Sequence, residues 1–217
     1  MITDPHIHAS SEYFVYTEGL AMQDAIQPAH NVTNIFVREP NAVDNFVGAC
    51  WPGPAVWIDY LNNNAASFWG QLYNHDNWQG SNYLYGAWID MNEPSIFLNE
   101  TDWTQTGMPM NNTHIQTDGT VVQHRWVHNA YGALQMRATW NGLYNRDNGT
   151  RRPFVLTRST FIGAQKYGAM WTGDSMVSYD DISLFSQNAL TLGISGMIFL
   201  GSDLPGFNGF PTDEQFI

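Results

Sequence analysis

The chain has 217 residues, enough for one domain with a sizeable core. Its 20 acidic and 8 basic residues give a formal charge of −12, with no basic run to neutralise phosphates, which argues against nucleic acid and anionic membrane surfaces as partners. No stretch reaches the ~18 apolar residues of a membrane helix, and the single cysteine, Cys50, leaves no intrachain disulfide and no cysteine-based metal site.

Short apolar runs at residues 1–4, 84–90, 154–157, 169–172 and 195–200 predict strands. Residues 65–72, 123–145 and 179–192 carry helix-like patterning between them. In the second of these, Val127, Tyr131, Leu134 and Ala138 recur at helical spacing and Asn141-Gly142 falls near the end. Strands alternating with helices predict an α/β fold with a parallel sheet. Two long polar stretches, 12–54 and 99–119, read as loops, and loops of that length usually serve a function. Each predicted strand is followed by a polar residue: Asp4, Asp90, Arg158, Asp174 and Asp203.

Two of those strand ends share a design. Trp88-Ile89-Asp90-Met91-Asn92-Glu93-Pro94 delivers an acid beside a Trp and then breaks, and Gly168-Ala169-Met170-Trp171-Thr172-Gly173-Asp174 does the same. Two carboxyl groups brought to one rim suit glycoside cleavage with retention, which needs one ionised and one protonated acid about 5–5.5 Å apart. Nine tryptophans agree with sugar binding, since indole faces cover the C–H faces of sugars, although packing accounts for them equally well.

These strings resemble the active-site strands of glycoside hydrolase family 31, the retaining α-glucosidases, and the likeness runs from Asp4 to Phe207. The resemblance implies a (β/α)8 barrel, of which residues 1–217 would be the central part, strands three to seven, truncated at both ends. It implies Asp90 as nucleophile and Asp174 as acid/base. Arg158, Trp51, Trp88, Met91, Trp171, Asp203 and Phe207 match positions that line or hold the family's sugar pocket, and Glu93 matches a supporting acceptor. For the pair to divide its roles, Asp174 is expected to be the less solvated acid, raised by Asp90. The family has Gly-Gly where this chain has Pro205-Gly206.

His6 with His8, and His124 with His128, have spacings that a metal could use. The resemblance implies neither metal nor cofactor, and it makes the His124-Arg125-Trp126-Val127-His128-Asn129 string a packing element. Together with Asp90-Met91-Asn92-Glu93-Pro94-Ser95-Ile96-Phe97, that string is most like family members that trim glucose from N-glycan oligosaccharides in the endoplasmic-reticulum lumen beside a noncatalytic β subunit. Lysosomal-type or secreted maltases, a transglucosylase, and an inactive or merely carbohydrate-binding relative remain as alternatives, and residues 1–217 alone are expected to show negligible activity. Acceptor patterns for glycosylation at Asn31, Asn99, Asn111 and Asn148 support a secretory route weakly, because roughly two or three would arise by chance in so Asn-rich a chain. Residues 1–4 carry no signal-peptide pattern, which either counts against secretion or means that the N-terminus is not the natural one. Five strands of a barrel would leave two unpaired edges, so the chain reads as a fragment of a longer protein.

Overall fold

The computed structural model describes residues 2–9, 35–77 and 81–216. The Asn31 acceptor pattern and most of the expected loop 12–54 lie outside the described residues. In chain order the first part holds β1 (Ile2–Thr3), β2 (His6–His8), β3 (Gly48–Cys50), β4 (Gly53–Trp57) and helix α1 (Asn63–Gln71). Then come β5 (Ala87–Ile89), β6 (Ser95–Phe97), β7 (Gln105–Gly107), β8 (Thr113–Ile115), β9 (Val121–Gln123) and helix α2 (Tyr131–Arg146). The last part holds β10 (Val155–Thr157), β11 (Ala169–Trp171), helix α3 (Tyr179–Ile194) and β12 (Leu200–Gly201).

One sheet has the order β1-β5-β10-β11-β12 and every neighbouring pair is parallel. These are the five expected strands, each shorter than its apolar run. Ala87, Ile89, Val155 and Thr157 are buried, whereas Trp88 and Leu156, side by side in the register, are half-buried. Parallel strands point the same way, so Asp4, Asp90, Arg158, Asp174 and Asp203 all leave the sheet along one edge.

A second, antiparallel sheet with the order β2-β4-β3-β6-β7, and a separate β8-β9 hairpin, were not expected. Of their strands, β3, β7 and β8 lie within the stretches read as loops and β4 only begins there, whereas β2, β6 and β9 fall outside them. Their strands are mostly three residues long, too short for an alternation of apolar and polar residues to register. The fold is therefore α/β with mixed parallel and antiparallel sheets.

Asn62 caps α1, its side chain accepting from the backbone N–H of Asn64 and Ala65, and Ser178 caps α3 by accepting from Asp181. The expected helix 123–145 begins later. Residues His124–Trp126 and His128–Ala130 are two 3-10 turns, and only from Tyr131 does the α-helix run, to Arg146. Gly142 lies in the last turns of α2, and there it meets Gly70 of α1. A Cβ on Gly142 would fall 2.5 Å from the Gly70 carbonyl oxygen. The two helices touch backbone to backbone at that crossing. Met136, Ala138 and Leu143 of α2 sit in the core with Ile89 and Val155.

Candidate active site

The site is organised around Arg158, the first residue after β10. Its side chain is only 8% exposed, so its charge is shielded from solvent. Nε donates to Glu93 Oε1 at 2.8 Å and Nη2 to Glu93 Oε2 at 2.9 Å. Nη2 also donates to Gln105 Oε1 at 3.0 Å and to Met91 Sδ at 3.1 Å. The remaining nitrogen, Nη1, lies 3.2 Å from Asp90 Oδ1 and 3.8 Å from Asp174 Oδ2. Sharing one nitrogen bounds the separation of those two oxygens at about 7 Å, a bound that accommodates the ~5–5.5 Å of a retaining pair.

The chain turns sharply to make this possible. Met91 has φ +56°, the left-handed region that a side chain adopts at a cost of about 1–2 kcal/mol. The turn lets Met91 N–H donate to Asp90 Oδ1 at 2.8 Å and brings Glu93 back toward Arg158. Asn92, fully buried, locks the base of the turn by donating to Thr157 Oγ1 at 2.8 Å and accepting from Ser159 N–H at 3.0 Å. Gly132 of α2 seats against it, since a Cβ there would lie 2.7 Å from Ser159 and 2.8 Å from the Asn92 carbonyl oxygen.

The solvation of the two acids differs from expectation. Asp174 is exposed and Asp90 half-buried, with side chains 33% and 23% accessible. Asp174 follows two residues of irregular backbone after β11 and reaches further from the sheet than Asp90, which directly follows β5. Burial raises Asp90 above the ordinary carboxylate range, Arg158 and the Met91 N–H pull it down, and Asp174 and Glu93 push it up.

A fourth carboxyl belongs to the group. Asp4 follows β1 and its burial, aided by the negative charge of Asp90, raises it to about 6. Its neighbour His6 approaches to 3.7 Å, yet burial lowers His6 to about 4, so the two do not form an ion pair near neutral pH. Asp203, half-buried, is raised by burial and by the charges of Asp174 and Asp90. Its carbonyl accepts from Ser175 Oγ at 3.1 Å, while Ser175 O accepts from the N–H groups of Phe207 and Asn208 at 2.9 Å. The Asp174 and Asp203 loops are thus laced together, with Phe207 exposed beside them.

The aromatic residues divide into two sets. Trp88 and Trp171 meet edge to face at 5.2 Å on the parallel sheet. Trp51 stands on the second sheet, where its ring partners are Phe97 at 4.7 Å and Trp103 at 5.4 Å. Trp51 follows Cys50, a buried thiol pushed up to about 12 by burial, whose other influences include Asp4, Arg158 and Asp90. Clefts of about 610 Å3 between α1 and α2 and about 450 Å3 against β3 and β6 are lined by residues other than Asp90, Asp174 and Arg158.

Asp4 and Gln105 are site residues that the sequence reading did not place. Asp4 carried a signal, as one of the five strand-end polar groups. Gln105 lay in a stretch read as loop and carried none.

The whole chain, residues 1–217, matches the family described as glycosyl hydrolases family 31, TIM-barrel domain. The chain belongs to glycosyl hydrolase family 31. Over 217 residues it is 38% identical to the glucosidase 2 subunit alpha of Schizosaccharomyces pombe, covering all of this chain and 21% of that protein. A crystal structure of a glucosidase II alpha subunit superposes with a TM-score of 0.81 at 34% identity, over 99% of this chain and 21% of the other. An ER glucosidase II complex of a catalytic subunit with the binding domain of its regulatory subunit gives 0.80 at 34% identity, again over 99% and 21%. This family 31 chain therefore spans about a fifth of the length of the relatives it matches. No helix among its described residues is long and apolar enough to cross a membrane.

Proposed function

We propose that this chain is the site-bearing part of a (β/α)8 barrel, strands three to seven, in a retaining α-glucosidase. The observation that carries the reading is the single Arg158 nitrogen facing both Asp90 and Asp174. Asp90, the better shielded and the one with a guanidinium and an N–H at hand, attacks the anomeric carbon. Asp174, on the more exposed loop, protonates the leaving oxygen and then deprotonates the water that releases the sugar. Arg158 keeps Asp90 ionised and offers Nη1 to a sugar hydroxyl, with Glu93 and Gln105 holding its plane. Trp88, Met91, Trp171, Asp203 and Phe207 shape the pocket, and Trp51 extends it from the second sheet. Large apolar residues left exposed on α3 and beside β12, among them Leu190, Ile194, Ile198 and Phe199, support a barrel that continues beyond these residues.

Within that class we place the protein among the N-glycan trimming glucosidases of the endoplasmic-reticulum lumen, working with a noncatalytic subunit. The support is the likeness to glucosidase II alpha subunits, one of them solved as a heterodimer. The test is hydrolysis by the full-length protein of an aryl α-glucoside, followed by NMR of the released sugar, and of glucosylated high-mannose glycans against maltose. Release of α-glucose and preference for the glycan are expected. Release of β-glucose overturns the retaining mechanism, and preference for maltose overturns the glycan assignment.

A further inference from the structure

Beside the acids runs a line of buried groups that the chemistry above does not use. Asp59, fully buried after β4, accepts from Leu61 N–H at 3.1 Å and Ile115 N–H at 2.9 Å, and lies 2.6 Å from His114 Nδ1. His114 Nε2 is 2.9 Å from His124 Nδ1, and His124 Nε2 is 2.8 Å from His128 Nδ1. His114 and His124 are buried, whereas His128 is half-buried. The line crosses from β4 to β8 to the turns preceding α2 and ends near the Arg158 clamp.

Hydrogen-bond logic fixes its direction. A carboxylate offers only lone pairs, so His114 donates to Asp59 through Nδ1. His114 Nε2 is then a bare acceptor, which His124 fills through its own Nδ1–H. The same reasoning makes His128 donate through Nδ1, leaving its Nε2 as the outer port. One buried charge thus sets the tautomer of three rings.

The outer end touches the machinery of Arg158. A Cβ on Gly107 of β7 would lie 3.8 Å from His128 Cε1, and Gln105, two residues back on the same face of β7, accepts from Arg158. Burial lowers the basicity of His128 and the charge of Glu93 opposes that. The other groups around the line are Tyr131, whose ring centre lies 6.3 Å from His114 and 6.2 Å from His124, and Arg38, within electrostatic reach of Asp59. His124, pushed down to about 3 by burial and by its two histidine neighbours, is neutral at working pH.

We propose that Asp59, His114, His124 and His128 form a proton relay whose outer residue, His128, adjusts the Glu93–Arg158 clamp to the surrounding pH. A proton taken up at His128 Nε2 leaves that ring doubly protonated. Passing its Nδ1 proton to His124 Nε2, the His124 Nδ1 proton to His114 Nε2, and the His114 Nδ1 proton to Asp59 moves the charge inward without moving a heavy atom. One proton enters, three rings end neutral, and Asp59 ends protonated. Wherever the charge rests, His128 now presents an N–H in place of a lone pair, beside β7 and within the electrostatic reach of Glu93, and so weakens the hold of Glu93 on Arg158. The clamp slackens as the medium acidifies. His128 is a positioning residue, and this role rests on the glucosidase reading of the clamp.

The experiment compares pH profiles of kcat/KM for the full-length protein and its His128→Asn variant, on an aryl α-glucoside from about pH 5 to about 7.5. Asn keeps a donor for His124 Nε2 and cannot titrate. The relay requires the acid limb to move downward in the variant, so that the ratio of activity at low to neutral pH rises about threefold or more. Superimposable profiles overturn it. A second readout needs neither activity nor the variant: 15N spectra of the histidine-labelled wild-type protein, assigned from NOEs between each ring and its neighbours, are expected to show Nδ1–H tautomers at neutral pH. An Nε2–H tautomer at His124 overturns the relay even if the variant fails to fold. Wild-type protein that shows the Nδ1–H signature but no glycosidase activity would sink the functional reading and leave the relay standing.

Discussion

Arg158 meets Glu93 through two parallel hydrogen bonds, 2.8 Å from Nε and 2.9 Å from Nη2, which leaves Nη1 to face Asp90 and Asp174. Only a planar fork can do both at once, because an ammonium is a single point of charge. Arg158→Lys is therefore expected to lower kcat/KM on an aryl α-glucoside by about 100-fold with the fold retained. A loss of less than about threefold, with an unchanged melting temperature, would show that the fork is not what positions the acids.

The division of labour between the acids makes a kinetic prediction. Asp90→Asn is expected to abolish formation of the glycosyl-enzyme, read by mass spectrometry after a slow fluorinated α-glucoside is added. Asp174→Ala is expected to slow substrates with poor leaving groups by at least about 100-fold while sparing activated aryl glucosides. Equal losses on both kinds of substrate would reverse the assignment of Asp174.

Asp4 makes stability depend on pH. In the unfolded chain it ionises near 3.8 and in the fold near about 6. Between those values the folded state keeps a proton that the unfolded state has released, so stability falls as pH rises through the window. Asp4→Asn is expected to raise stability by about 1–3 kcal/mol above that window and to change little below it. Thermal melts of both proteins across the range check this, and a difference that does not vary with pH would refute it.

At the α1–α2 crossing, Gly142→Ala would push a methyl to 2.5 Å from the Gly70 carbonyl oxygen. Both partners are backbone and cannot rotate away. A loss of about 1–3 kcal/mol is expected in chemical denaturation, despite the better helix propensity of alanine. A neutral or stabilising effect would mean that the helices separate at little cost.

Much of the parallel sheet was legible because its strands are apolar and each leads to a polar group, as in Ile89-Asp90 and Thr157-Arg158. The second sheet was not. Gln105–Gly107 is exposed along its whole length and offers no apolar residue to a pattern search, yet it supplies Gln105 to the clamp. The start of α2 was misplaced because Val127 continues the apolar spacing of Tyr131, Leu134 and Ala138, whereas the chain there runs through two 3-10 turns in which the His124 and His128 rings hydrogen-bond to each other. Glu93 was legible as a supporting acceptor. That Asp174 would stand further into solvent than Asp90 depends on loop path, which spacing does not encode.

Asp4 feels the charges of Asp90 and Glu93, Asp90 those of Asp174 and Glu93, and Asp203 those of Asp174 and Asp90, with the Arg158 guanidinium among them. Such a rim favours positive charge in whatever enters it. Under the glucosidase reading proposed above, a glucose ring gathering positive charge at its anomeric carbon would relieve a repulsion that the resting sugar leaves untouched. Basic imino analogues of glucose draw on the same relief while protonated, so their grip is expected to weaken as the solution turns alkaline.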